Sequence, residues 1–305
     1  MAVGVTRVNW ASAAAMLDDG RLHLQQGPID LIIEAFADDA REITLAYEQA
    51  SMRFSGLLQE LVDELPALRA ALTQRYPHVR GSIARRMVEA AWPYRDEFIT
   101  PMAAVAGAVA VAILQAMTQD RKLRRAYVNN GGDIAFHLVA GEQFRVGIAE
   151  IEDATLQGVG VVHASMPVRG AATSGWRGRS FSFGIADSVT VLAATAAEAD
   201  VAATMIANAV NVDHLGIVRV AANSLQAESD LGSRLVTRFV PTLDAQSIER
   251  ALDNGAAKAR YYLAQGLLHS AVIRLQGHNR SVAASDKIPY TQCMRAATRS
   301  PIGIQ

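Results

Sequence analysis

The chain has 305 residues, half of them hydrophobic and 19% charged, with a formal net charge of −1 and a pI near 6.7. That composition excludes a disordered chain and supplies enough apolar surface for a sizeable core. The near-zero charge excludes a global drive toward nucleic acid or an anionic membrane, and the lone Cys293 has no internal disulfide partner, so it reads as an incidental or structural thiol in a reducing compartment.

At the N-terminus, no continuous apolar core follows Arg7, so no secretory signal is expected and the protein reads as cytoplasmic. "GRLHLQQGPIDLIIEAF" predicts two short strands around a turn at Gly27-Pro28. From Asp38 to Leu72, apolar residues fall at helical spacing (Ile43, Ala46, Tyr47, Ala50, Phe54, Leu57, Leu58, Leu61, Leu65). Asp38 or Asp39 suits the helix cap, and Pro66 is expected to kink or break the helix. "GSIARRMVEAAWPY" predicts a further helix ending near Pro93. The uncharged "PMAAVAGAVAVAILQAM", Pro101 to Met117, is shorter than the ~20 residues of a membrane span and reads as a buried helix. Its small residues suit either the core or a subunit contact, so a homodimer is an open expectation.

The middle of the chain changes period. "RAYVNNGGDIAFHLV", "FRVGIAEI", "GVGVVHASM" and "SFSFGIADSVTVLA" are rich in β-branched and aromatic residues and predict strands. "AEADVAATMIANAV" predicts a helix, "RLVTRFV" a strand, "DAQSIERALDNGAAKARYYLAQG" a helix and "LLHSAVIRLQG" a last strand. The tail, residues 281–305, lacks periodicity and is expected to be loosely held beyond a single domain spanning residues 1–280. Helices concentrated early and strands in the middle indicate an α+β class rather than repeated βαβ units.

Three segments carry candidate chemistry. In "YVNNGGDIAF", Asn130, Gly131 and Gly132 can bring main-chain N–H groups close to a ligand, with Asp133 just past the turn. An ordinary hairpin turn accounts for the same residues. The tetrapeptide is no GGDEF signature, since Ile134 and Ala135 replace its remaining positions. In "VRGAATSGWRGRS", Thr173, Ser174 and Gly175 lie among Arg169, Arg177 and Arg179, a composition suited to phosphate or carboxylate, or simply to a solvated basic loop. Within "EADVAATMIANAV", Asp200 and Thr204 stand at i and i+4 on one helix face. A carboxylate and a hydroxyl so placed suit a hard cation such as Mg²⁺; equally, Asp200 can favour the helix dipole while Thr204 bonds back to a carbonyl. His137, His163, His214 and His269 lack metal-ligand spacing and read as structural.

"AYVNNGGDI", "ATSG" followed by arginines, and "ADSVTVLAATAAEADVAAT" occur in an order that resembles the ApbE superfamily, the FAD:protein FMN transferases. With "PMAAVAGAVA" upstream and "NVDH…SDLGSRLVT" downstream, the chain looks most like the shorter ApbE-like branch, over residues 20–280. The resemblance implies a two-lobed α+β fold, with antiparallel or mixed sheets flanked by helices and a flavin nucleotide, FAD or FMN, in a cleft. It implies Mg²⁺ held by Asp200, Thr204 and the main-chain carbonyl of Ala106. It also implies nucleotide contacts from Asn130, Gly131, Gly132, Asp133, Thr173, Ser174, Gly175 and Arg177.

The implied reaction is FMN transfer to a hydroxyl of an acceptor protein, or FAD pyrophosphate cleavage if water is the acceptor. The chain departs from the transferases in several respects: no His-Ile-hydrophobic-Asp-Pro stretch stands between "TSG" and "SVTV", Gly107 and Ala108 stand where a lysine usually follows the upstream Ala, and the transferases' N-terminal motif pattern and export signal are not expected here. Two alternatives therefore stand beside the enzyme: a flavin-binding or flavin-delivering protein without turnover, and an enzyme on the same scaffold with a non-flavin substrate.

Overall fold

The computed structural model describes residues 12–149, 156–284 and 290–291. The start of the N-terminal segment, Cys293 and most of the tail expected to be loosely held lie outside the described residues. The chain opens with β1 (Ala13–Met16), β2 (Leu22–Gln26) and β3 (Ile29–Phe36). Five helices follow: α1 (Ala40–Phe54), α2 (Leu57–Asp63), α3 (Leu65–Leu68), α4 (Ser82–Ala91) and α5 (Val105–Thr118). The middle holds β4 (Arg125–Asn130), β5 (Asp133–Leu138), β6 (Gln143–Ala149), β7 (Leu156–His163), β8 (Gly170–Ser174) and β9 (Ser188–Ala193). Then come α6 (Ala196–Ala209), β10 (Val218–Ala221), α7 (Ala222–Leu225), β11 (Leu235–Phe239) and α8 (Ala245–Ala264), before β12 (Ser270–Leu275), β13 (His278–Ala283) and β14 (Tyr290–Thr291).

Nine strands form one sheet in the order β1-β2-β3-β4-β5-β8-β9-β12-β13, every pairing antiparallel, so the fold is α+β as expected and its described sheets are antiparallel rather than mixed. Period-2 alternation sends Leu31, Ile33, Ala126, Val128, Ala135, Ala172, Val189 and Val191 into one core beneath a row of helices. In that row α1 lies by β2 and β3, α5 by β4 and β5, α6 by β8 and β9, and α8 by β12 and β13. The opposite face sends Tyr127, Ile134, Phe136 and Ala171 into a second core with Phe144, Val146 and Val162 from the small β14-β7-β6 sheet. The uncharged helix α5 is buried along Gly107–Ala110, Ala112–Leu114 and Met117, so its hydropathy is spent inside the chain.

The Gly27-Pro28 turn, the Asp39 cap, which accepts from Arg41 N at 2.9 Å, and the helix end near Pro93 all follow the sequence. Three expectations need correction. The first helix breaks before Pro66 as expected, between α2 and α3, where Pro66 takes the first turn and its missing N–H costs nothing, but it breaks earlier as well, at Gly56, whose φ is +81°. The strand expected over Ser180–Ala193 is confined to Ser188–Ala193, because the preceding backbone is taken by helix α6: Ile185 N donates to Val210 O at 2.8 Å. β12 is not the last strand; Gln276 and Gly277, both at positive φ, turn it into the polar edge strand β13. The exposed edge strand β1 was not expected either, since its Ala-rich stretch shows no alternation.

Candidate functional site

The β4–β5 hairpin closes through Gly131 and Gly132 at φ +66° and +112°, and Gly132 N donates to Asn129 Oδ1 at 2.8 Å. Asn130 and Asp133 are register partners flanking that turn, on the helix-facing side of the sheet. Asn130 is buried and donates from Nδ2 to the Ala106 carbonyl at 3.1 Å. Ala106 and Gly107 open α5, and Gly107 N donates to Asp200 Oδ2 at 3.1 Å. Gly107 is required here, since a Cβ would stand 2.2 Å from the Ala196 carbonyl oxygen. That approach brings the first turns of α5 and α6 together at the hairpin tip.

Asp133 and Asp200 are thus brought into mutual range from elements 67 residues apart in sequence (200 − 133). Both are only partly open to solvent. Burial pushes the Asp133 carboxyl up to about 7, against the pull of the Thr173 N–H that donates to its Oδ1 at 3.3 Å. Burial, with the Asp133 charge second, holds Asp200 well above the usual carboxylate range, and the N–H groups of Gly107 and Ala106 offset part of this. Two crowded carboxyls with raised affinity for protons form a site where positive charge is favoured.

Helix α6 is buried at every position except Glu198, Asp200, Thr204, Asn208 and Ala209. Asp200, Thr204 and Asn208 stand at i, i+4 and i+8, one partly exposed polar stripe on an otherwise enclosed helix. This answers why an alanine-rich helix carries an acid and a hydroxyl. The alanines permit close packing, and the stripe is the face left open.

The groups at this corner are oxygen donors: two carboxylates and the Ala106 carbonyl, which already accepts from Asn130, with the Thr204 hydroxyl one turn further along α6. Among the described residues no three His, Cys, Asp or Glu side chains gather as a metal cage. The set therefore fits a hard cation that keeps water or ligand phosphate oxygens in its shell, the habit of Mg²⁺, and does not fit a soft metal.

The second candidate segment lies alongside. Thr173, next to last in β8, pairs with Thr190 through their hydroxyls at 2.9 Å, while its N–H reaches Asp133. Ser174 closes the strand, and Gly175 follows where a Cβ would lie 2.4 Å from the Asp187 carbonyl oxygen. The three arginines separate. Arg169 donates to the carbonyls of Ala164, Met166 and Val168 and acts as an internal brace. Arg177 lies on the Trp176 ring and bonds Asp187 Oδ1 at 3.0 Å. Arg179, exposed, crosses the hairpin tip, with Nη1 3.1 Å from the position a Gly131 Cβ would take and Nη2 donating to Pro28 O at 3.0 Å.

The sequence reading missed Asp187 and Asn208. Asp187 also accepts from Trp176 Nε1 at 3.3 Å and from Gln276 N, so it orders the arginine segment. Its role rests on a partner 89 positions away, which no local pattern signals. Asn208 could have been found by extending the i, i+4 spacing one further turn.

A family model described as "AbpE bacteria" matches residues 14–281. The UPF0280 protein of Methanothermobacter thermautotrophicus is 36% identical over 159 residues, 51% of this chain and 60% of that protein. That of Methanococcoides burtonii is 31% identical over 194 residues, 62% of this chain and 77% of that protein. That of Archaeoglobus fulgidus is 37% identical over 131 residues, 42% of this chain and 50% of that protein. The matches thus span about half to three quarters of the length of these relatives.

Proposed function

The chain belongs to the AbpE bacteria family, with UPF0280 proteins among its relatives, and from that premise we propose that it binds a flavin or related phosphate-bearing nucleotide together with Mg²⁺. One observation carries the reading: Asp133 and Asp200 meet at the joint first turns of α5 and α6, with the Ala106 carbonyl beside them. Asp200, Thr204 and Ala106 would hold the cation, as the resemblance to the ApbE superfamily implies. When bound, the cation would supply neutralisation of charge on a pyrophosphate. Asn130 fixes the Ala106 carbonyl, and Gly131, Ser174 and Gly175 would offer main-chain N–H groups to phosphate oxygens. Arg177, positioned by Asp187, supports the anionic side of the site. The setting is cytoplasmic in this reading, with a small-molecule ligand and neither nucleic acid nor membrane as partner.

The reaction proposed is cleavage of the FAD pyrophosphate. The P–O bond to the AMP half breaks, the acceptor oxygen bonds to the FMN phosphorus, and the acceptor proton leaves to solvent. With a protein hydroxyl as acceptor the products are FMN-protein and AMP; with water they are FMN and AMP. A second reading, a flavin carrier without turnover, is favoured by one observation: residues 176–187 contain no His to take that proton. Incubation of the purified protein with FAD and Mg²⁺, followed by chromatography, separates the two. AMP release supports the enzyme, whereas bound and intact FAD supports the carrier. Failure to bind any flavin nucleotide refutes both.

A further inference from the structure

The open stripe on α6 does not stop at the carboxylates. At its far end Asn208 Oδ1 accepts from Phe183 N at 2.9 Å and from Ser182 Oγ at 3.2 Å, fixing Phe183 beside the stripe. The Phe183 ring lies 6.0 Å from Phe98 at an interplanar angle of 54°, and both rings are only partly buried. Gly184 lets this segment lie directly on the helix end, where a Cβ would meet the Ala207 carbonyl oxygen at 2.0 Å. Phe98 is held in turn: Arg234 stacks on it at 3.3 Å, and Asp230 of the same segment bonds Thr100, two residues along. Eight residues of helix separate Asp200 from Asn208, about 12 Å. Thr204 and Asn208, both half-buried, thus step along α6 from Asp200 to the segment that carries the Phe183 ring.

We propose that Phe183, backed by Phe98, is the subsite for the planar heteroaromatic ring of the ligand whose phosphate end lies at Asp200. This deepens the reading above and rests on it. The stripe from Asp200 to Asn208 runs about 12 Å, a length that suits a mononucleotide-sized ligand laid along α6. Asn208 is a positioning residue, because its amide is committed to the Phe183 backbone and Ser182.

The test compares two ligands by calorimetry in the presence of Mg²⁺: FMN, which has a ring, and inorganic pyrophosphate, which has none. The wild-type protein is expected to bind FMN more tightly than pyrophosphate. Phe183→Leu, which keeps apolar bulk, is expected to weaken FMN about tenfold and leave pyrophosphate unchanged, since the substitution removes ring stacking and nothing at the phosphate end. Asn208→Ala is expected to repeat that pattern at smaller amplitude. Unchanged FMN affinity in Phe183→Leu, or equal weakening for both ligands, overturns the ring subsite. Wild-type protein that binds pyrophosphate but FMN no more tightly overturns the subsite alone, and needs no variant to fold. Binding of neither ligand overturns the metal and phosphate reading itself, and the subsite with it.

Discussion

At the scale of single residues, the account turns on two acids that would rather be neutral. Asp200→Asn keeps shape and the Gly107 N–H acceptor but removes the charge. It is expected to lower Mg²⁺-dependent nucleotide affinity at least about a hundredfold without lowering the melting temperature, since burial already favours the neutral acid that the neutral amide replaces. Unchanged affinity in calorimetry would remove Asp200 from the metal site. Asp133 gives a pH signature. In the folded chain it stays protonated up to about 7, while in the unfolded chain it ionises near the ordinary value of 3.8. Between those values the folded state binds more protons, so this contribution to stability is complete below the unfolded value and is lost as pH rises toward 7. Melting of the metal-free protein at pH 5 and pH 7.5 should therefore show a wild-type gain at the lower pH that is smaller in Asp133→Asn, the remainder coming from Asp200. Identical pH profiles would show that Asp133 titrates normally.

At the scale of elements, the site exists because two helix starts can touch. Gly107→Ala puts a methyl into the Ala196 main chain, where no side chain can swing away. The expected cost is about 1–3 kcal/mol in urea denaturation, with α5 displaced from Asp200. A variant as stable as the wild type would mean that the helices separate freely and that the approach is not required. The same scale shows what the sequence reveals. Ile29, Leu31, Ile33 and Ala35 alternate into the core as written, and Asp39 caps α1 as its position suggests. Asp200 and Thr204 are legible because a helix repeat needs only local spacing. The convergence of Asp133 on Asp200, and of Asp187 on Gln276, is not legible, because strand order and helix packing create it from distant segments. Edge strands β1 and β13 escape notice for a related reason, being too exposed to carry an apolar pattern.

At the scale of the whole molecule, one antiparallel sheet carries a row of helices on one side and a small sheet on the other. The hairpin tip, the first turns of α5 and α6 and the end of β8 converge at one corner of that arrangement. Most of the apolar length of α5 is absorbed in this packing. The central claim is that this corner takes a flavin nucleotide through a bound cation. Its most direct test is titration of FAD into the purified protein by calorimetry, once with Mg²⁺ and once with a chelator, alongside Asp200→Asn. The account predicts saturable binding with Mg²⁺ that disappears with the chelator and in the variant. FAD binding indifferent to the chelator, or no binding under either condition, would contradict it.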